Sequence, residues 1–219
     1  IVAGNIGTPV LEAFDAAQSG DEPPEVFVLE LSSFQLESTA SLDADAAAML
    51  NVSEDHLDRY DGIDDYVKAK QRVFIGGGAQ IINRADARSA GMALAGRAVH
   101  RFGTDAPRGE REWGIAGEGD GAALMRNDHA LLPLTQLPVA GLHNAANALA
   151  AGALCHAIGI DDAAMAQALR AFKGLPHRVE KITSIAGVTY YDDSKGTNVG
   201  STVAALGGLT QPVVLIAGG

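Results

Sequence analysis

Cysteine is almost missing from this chain. Cys155 is the only one among 219 residues, so no internal disulfide can form, and its Ala-rich helical surroundings read as a small core position in a reducing compartment. Basic residues are also scarce. With 16 Lys and Arg against 27 Asp and Glu, for a formal charge of -11, the chain lacks the basic footprint that phosphate-backbone binding needs, which argues against nucleic acid as a partner. No run of about 18 uninterrupted apolar residues occurs, and the first residues carry neither a basic n-region nor a cleavage-site pattern. Membrane insertion is therefore not expected, and a cytoplasmic location is. Low-complexity sequence and internal repeats are lacking too. What remains is 47% hydrophobic, enough to bury the core of one large domain or two small ones.

The stretch over 51–70, NVSEDHLDRYDGIDDYVKAK, organises the rest. The apolar run over 46–52 predicts a buried strand, which puts Ser53, Glu54, Asp55, His56, Asp58, Arg59 and Tyr60 at its carboxyl end. In open parallel α/β sheets ligands bind there. A second strand is predicted over 25–31, so Glu30 and His56 would leave neighbouring parallel strands together, a geometry that can bring a carboxylate and an imidazole to one ion. An acid at a strand end can equally be just solvated, and His56 can equally be a loop histidine bonded to Asp55 or Asp58. In the following helix Ile63, Val67, Lys70 and Phe74 recur at the spacing of one inward stripe. Lys70 in an apolar slot is either a desolvated, nucleophilic amine or a side chain snorkelling to solvent, whereas Lys68 and Arg72 are expected to be much more exposed.

Elsewhere the pattern alternates. A strand end at 1–3 runs into the Gly4 to Gly7 turn, and Thr8 as N-cap with Pro9 in the first turn opens a helix. A short strand is expected at 79–83, a helix at 86–94, small antiparallel strands and hairpins over 99–138, and helices over 141–158 and 161–172. Gly174-Leu175-Pro176 marks a domain boundary. Beyond it come strands at 179–185 and 188–191, a polar loop at 193–200, a helix at 201–206 and a buried strand at 212–217. The fold class is α/β, a mostly parallel sheet with flanking helices.

NVSEDHLDRY with a lysine fourteen residues after its histidine, ELSSFQLE over 30–37 and DDSKGTNVGST over 192–202 resemble the Mur ligases of peptidoglycan synthesis, and the match runs from GNIG at Gly4 to Gly219. The resemblance implies an ATP-dependent ligase that adds D-glutamate to UDP-N-acetylmuramoyl-L-alanine through an acyl phosphate. It implies that Glu30, His56 and a carbamylated Lys70 hold Mg2+, that Asn144, Arg178 and Asp193 meet ATP, that Lys195 and Thr197 serve the acyl phosphate or the D-glutamate, and that Asn5, Ser32 and His177 face substrate. Taken locally, Asn144 reads equally as a helix cap and Arg178 as an ion pair with Glu180. The expected layout is a P-loop-type central domain over 1–174 and the beginning of a Rossmann-like acceptor domain over 175–219, monomeric at full length. Nothing in the chain matches GxxxxGK[ST], the loop that cradles ATP phosphates. The chain also opens on a strand end and stops on a glycine pair, so a fragment is expected. Three rivals remain: a sibling such as folylpolyglutamate synthase; a dinuclear metallohydrolase built on a carbamylated lysine, which would want several clustered histidines; and a non-catalytic nucleotide-binding module.

Overall fold

Short apolar runs alternate with amphipathic stretches along the chain, and the computed structural model resolves them into ten strands and seven α-helices among the described residues, which are all but 21, 22, 140, 198, 210 and 219. Two compact units result, Ile1–Ala44 with His56–Gly76, and Asp45–Asp55 with Gly77–Gly219.

The first unit holds β1 (Val2–Gly4), α1 (Val10–Ser19), β2 (Val28–Glu30), α2 (Ser33–Ser38) and α3 (Ile63–Gln71), the last continued by a 3-10 turn at Arg72–Phe74. β1 and β2 pair in parallel with Gly4 opposite Glu30. Gly4 has φ 122°, and a Cβ there would lie 2.2 Å from the Glu30 carbonyl oxygen, so only glycine permits this pairing. The expected Thr8 cap is displaced by one residue. Pro9 holds the N-cap position without a side-chain cap bond, and the Thr8 carbonyl accepts from the Gly4 amide at 3.0 Å.

α3 packs on α2. Its most buried residues are Tyr66 and Ala69, followed by Phe74, while Ile63, Val67 and Lys70 are half-buried on the flank of that face. Lys68 is exposed and pairs with Asp65 at 2.9 Å, as the stripe requires. Arg72 is not exposed as expected. It donates to the Leu36 and Thr39 carbonyls at 2.7 and 2.5 Å, adding to the Thr39 amide that already bonds Leu36 at the end of α2.

The second unit is built on a six-stranded sheet in the order β3 (Ala46–Met49), β4 (Ala79–Asn83), β5 (Val99–Phe102), β6 (Glu112–Ala116), β7 (Ala123–Arg126) and β8 (His129–Pro133). The first three pairings are parallel and the last two antiparallel. The antiparallel expectation over 99–138 therefore holds only from β6 onward, because residue alternation sets which face a side chain takes and says nothing of strand direction. α4 (Ala87–Gly91) lies on the crossover from β4 to β5. Arg84 closes the β5 to β6 connection, donating to the Trp113 and Asp105 carbonyls at 2.7 Å each and to the Asp105 carboxylate at 2.9 Å.

The core forms where α5 (Leu142–Ala157) lies on this sheet. Leu149, Ala145 and Ala153 bury against Ile81, Phe102, Trp113, Leu124 and Leu132, and Met165 and Ala166 of α6 (Asp162–Ala171) extend the cluster. Beyond α6, β9 (Glu180–Ile185) and β10 (Val188–Asp192) form a two-stranded sheet among the described residues, joined through Ala186 and Gly187 at positive φ, and α7 (Val199–Gly207) follows. The buried strand expected at 212–217 does not form. These residues have no ladder partner among the described residues, and Val214 and Ile216 are 92% and 94% exposed; an apolar run becomes a strand only when another strand satisfies its amides.

Candidate active site

Because β1 and β2 run in parallel, their carboxyl ends deliver Asn5 and Glu30 to the same edge. The Asn5 amide donates to the Glu30 carbonyl at 2.7 Å, and its side-chain nitrogen donates to the Glu30 carboxylate at 3.5 Å. Glu30 is exposed. Ser32 follows at the start of α2. Its hydroxyl accepts from the Gln35 amide while its own amide donates to the Gln35 side chain, a complete capping box.

His56 stands in the same unit at φ 53°, in the left-handed region that side-chain-bearing residues seldom adopt. Its ring centroid lies 4.9 Å from that of Phe34 and 6.4 Å from that of Tyr66. The Lys70 nitrogen lies 5.0 Å from the Tyr66 ring centroid, so the imidazole and the amine share one aromatic neighbour. β2 and β3 do not pair, which corrects the neighbouring-strand expectation for Glu30 and His56: β2 uses its ladder on β1 and β3 on β4. What links the two residues in the first unit is α2, two residues after Glu30 and in contact with His56 through Phe34. A cleft of about 410 Å³ in this unit is lined by Glu37, Arg59, Tyr60, Asp61, Asp65 and Ala69, with none of Glu30, His56 and Lys70 in its lining. Glu37 and Arg59 pair across it at 2.7 Å, and the Arg59 hydrogen bond holds the Glu37 carboxyl below its ordinary pKa.

The remaining candidates lie in the second unit. Asn144 is half-buried in the first turn of α5, but Gly141 is the cap and no side chain caps this helix, so the capping alternative does not describe it. Its neighbour His143 is kept below the usual histidine range by desolvation, against which Asp193 acts as an opposing charge. Residues 177–180 are stitched to the loop after β10. The His177 Nδ1 lies 2.7 Å from the Asp192 carboxylate, the Val179 amide donates to the Asp193 carboxylate at 3.1 Å, and the Lys195 amide donates to the His177 carbonyl at 3.1 Å. His177 and Val179 have φ 63° and 47°. A valine there is unusual, and the knot of hydrogen bonds is what over-determines it. Arg178 is exposed and makes no ion pair with Glu180, whose carboxylate instead accepts from the His177 amide at 2.8 Å. Thr197 is exposed, with its amide bonded to the Lys195 carbonyl at 3.1 Å. The ligand atoms of His177, Glu180 and Asp192 lie within 4.8 Å of one another, and each already has a hydrogen bond within the knot.

A family model described as the Mur ligase middle domain matches residues 10–155. The chain belongs to the Mur ligase family. It is 54% identical over 219 residues to a protein named UDP-N-acetylmuramoylalanine--D-glutamate ligase from Methylobacillus flagellatus, covering 100% of this chain and 47% of that protein. A protein of the same name from Nitrosospira multiformis is 54% identical over 220 residues, 46% of its length. The chain thus spans about half the length of the curated relatives it matches. Among solved structures, a pseudomurein peptide ligase type C from Methanothermus fervidus superposes with TM-score 0.68 at 18% identity, covering 84% of this chain and 46% of that one. MurF from Acinetobacter baumannii gives TM-score 0.63 at 19% identity, covering 93% and 51%, and an L. casei FPGS structure gives 0.60 at 16%, covering 85% and 49%. These structural likenesses are of fold. The residues around His56 that sequence reasoning missed are Phe34 and Glu37, which join Arg59 of the expected loop cluster. Their signal was present in the Ser32 to Gln35 capping-box spacing, which marks a helix start where only a strand end was read.

Proposed function

We propose that this Mur ligase chain is part of a cytoplasmic, monomeric, ATP-dependent ligase that joins D-glutamate to UDP-N-acetylmuramoyl-L-alanine through an acyl phosphate. The observation that carries the reading is the identity of about half of all residues, over the whole chain, to proteins named for that reaction. No helix among the described residues is long and apolar enough to cross a membrane, which accords with it. On this reading the boundary between central and acceptor domains lies at Gly174, supported by the Gly-Leu-Pro break there and by the β9 to β10 hairpin that follows.

The donors present fit a hard divalent ion in part. Glu30 offers an exposed carboxylate and His56 an exposed imidazole, while Lys70 as an ammonium offers nothing until carbamylation turns its nitrogen into the root of a carboxylate-like group. Glu30, His56 and carbamylated Lys70 would therefore hold Mg2+, which when bound neutralises charge on phosphate oxygens. For ATP the fit is also partial, since no GxxxxGK[ST] phosphate-cradling pattern occurs among these residues. Asn144 would meet the adenine, and Arg178 and Asp193 the phosphates and ribose. Lys195 would place a cation where negative charge grows during transfer, which is the kind of contact that most favours a transition state. Thr197 and His177 would orient the incoming amino acid, and Asn5 and Ser32 the muramoyl substrate.

The test is acceptor choice. The complete protein, given ATP, Mg2+ and UDP-N-acetylmuramoyl-L-alanine, is offered D-glutamate, L-glutamate, L-alanine and glycine separately, and product is followed by mass spectrometry. D-glutamate alone should be joined. Preferential turnover of another amino acid would replace this reading with that of a sibling ligase.

A further inference from the structure

Residues 50–62 carry no regular secondary structure, yet His56 is held in an unfavourable backbone conformation at φ 53°. Something other than a backbone ladder must fix it there. One turn hydrogen bond, from the Arg59 amide to the His56 carbonyl at 2.9 Å, closes the loop locally. Beside Tyr66 of α3, 6.4 Å from the imidazole, one side of one short helix supplies a connected set of contacts. Phe34 and Glu37 are three apart in α2 and so share a face. Glu37 pairs with Arg59 at 2.7 Å, the Arg59 guanidinium carbon sits 4.7 Å above the Phe34 ring centroid, and Phe34 meets His56 at 4.9 Å and stacks with Tyr60 at 6.4 Å and 11°.

An exposed ion pair contributes little to global stability, and Arg59 and Glu37 are 52% and 33% exposed at their side chains. Its consequence is local: it holds the guanidinium over Phe34, and that sandwich fixes the ring against which the imidazole leans. The same helix is anchored at its other end. The capping box sets its first turn two residues after Glu30, and Arg72 ties its last carbonyls to the end of α3.

We propose that α2 is a positioning element, in which Glu37 acting through Arg59, and Phe34 by direct contact, set the orientation of the His56 ring and carry the register of Glu30 to it. The orientation itself is a property of the fold; its consequence for metal rests on the reading of His56 as a ligand given above.

The test separates the two. In complete protein labelled in histidine, with the His56 ring signal assigned by His56→Gln, the ring shifts are compared between wild type, Glu37→Gln, and the reversed pair Glu37→Arg with Arg59→Glu. Glu37 reaches His56 through Arg59 and Phe34, so its removal should move that signal by releasing the loop, and as a surface change it leaves the His100 signal of the other unit in place as a check on folding. The expected result is displacement and broadening of the His56 signal in Glu37→Gln, with return toward the wild-type position in the reversed pair. An unchanged signal in Glu37→Gln, or one displaced and not restored by reversal, overturns the proposal. Titration with Mn2+ is read on the same samples and on Phe34→Leu. Selective broadening of His56 in wild type, at an affinity reduced on the order of tenfold or more in Glu37→Gln and Phe34→Leu, supports the functional consequence. Absence of Mn2+ broadening in wild type removes the metal reading, and the ring shifts still decide the positioning role.

Discussion

His177 and Asp192 meet at 2.7 Å, Nδ1 to Oδ2, across fifteen positions of sequence. The contact ties the segment after Gly174 to the end of β10, next to Asp193 and Lys195. It also acts on the carboxyl, since the His177 hydrogen bond and then the Ser194 amide hold Asp192 down at about 2.

A carboxylate with a depressed pKa stabilises the fold above its ordinary pKa and loses that contribution as pH falls through the depressed one. The order of this knot should therefore persist at pH 4 and vanish as pH approaches 2. Carbon NMR of the Asp192 carboxyl should give a midpoint near 2 in wild type. In His177→Gln the midpoint should rise toward the ordinary aspartate value of about 4. An Asp192 midpoint near 4 in wild type would show that the contact does not hold in solution.

Gly152 lies inside α5, where alanine would ordinarily gain roughly 1 kcal/mol of helix stability. Here a Cβ would stand 2.9 Å from the Trp113 ring, which is fully buried. Gly152→Ala should instead destabilise by about 1–3 kcal/mol, the usual cost of overpacking, seen as a lower urea midpoint with an unchanged slope. A raised midpoint would mean that the α5 to sheet contact is looser than described.

His100 is buried behind Trp113, whose indole donates to its Nδ1 at 3.4 Å. Desolvation first, then the nearby His156 and Arg111, lower its pKa to about 4. Unfolded, it would take up a proton below about 6.5. The unfolded state thus binds more protons between those limits, and stability must fall as pH drops from about 6.5 to about 4. Melting temperature followed from pH 7 to pH 4.5 should decline more steeply in wild type than in His100→Gln, which keeps an acceptor and removes the titration. Parallel declines would assign the acid sensitivity elsewhere.

Much of this architecture was legible because its signals are local. Alanine-rich periodicity marks α5, Asp161 caps α6 through a bond to the Ala164 amide at 2.8 Å, and the Ala186-Gly187 turn joins β9 to β10. The Lys70 anomaly was legible for the same reason, since an apolar stripe with a lysine in it is a pattern in sequence, and the amine does lie half-buried against Tyr66. Three things were not. The direction of β5 and β6 depends on crossover geometry, not on alternation. Arg72 looks like a surface cation by spacing, but the carbonyls it bonds at the end of α2 are 33 and 36 positions away in sequence. The strand expected at 212–217 needed a neighbour that no apolar pattern can supply.

The central claim is that ligase chemistry depends on Lys70 as a carbamate beside Glu30 and His56. It is tested most directly by turnover of the complete protein carrying Lys70→Ala, measured with and without a small carboxylate such as acetate. Loss of activity on the order of a hundredfold or more, partly recovered when the carboxylate fills the vacated space, is the expected result. Turnover at the wild-type rate in Lys70→Ala without added carboxylate would contradict it.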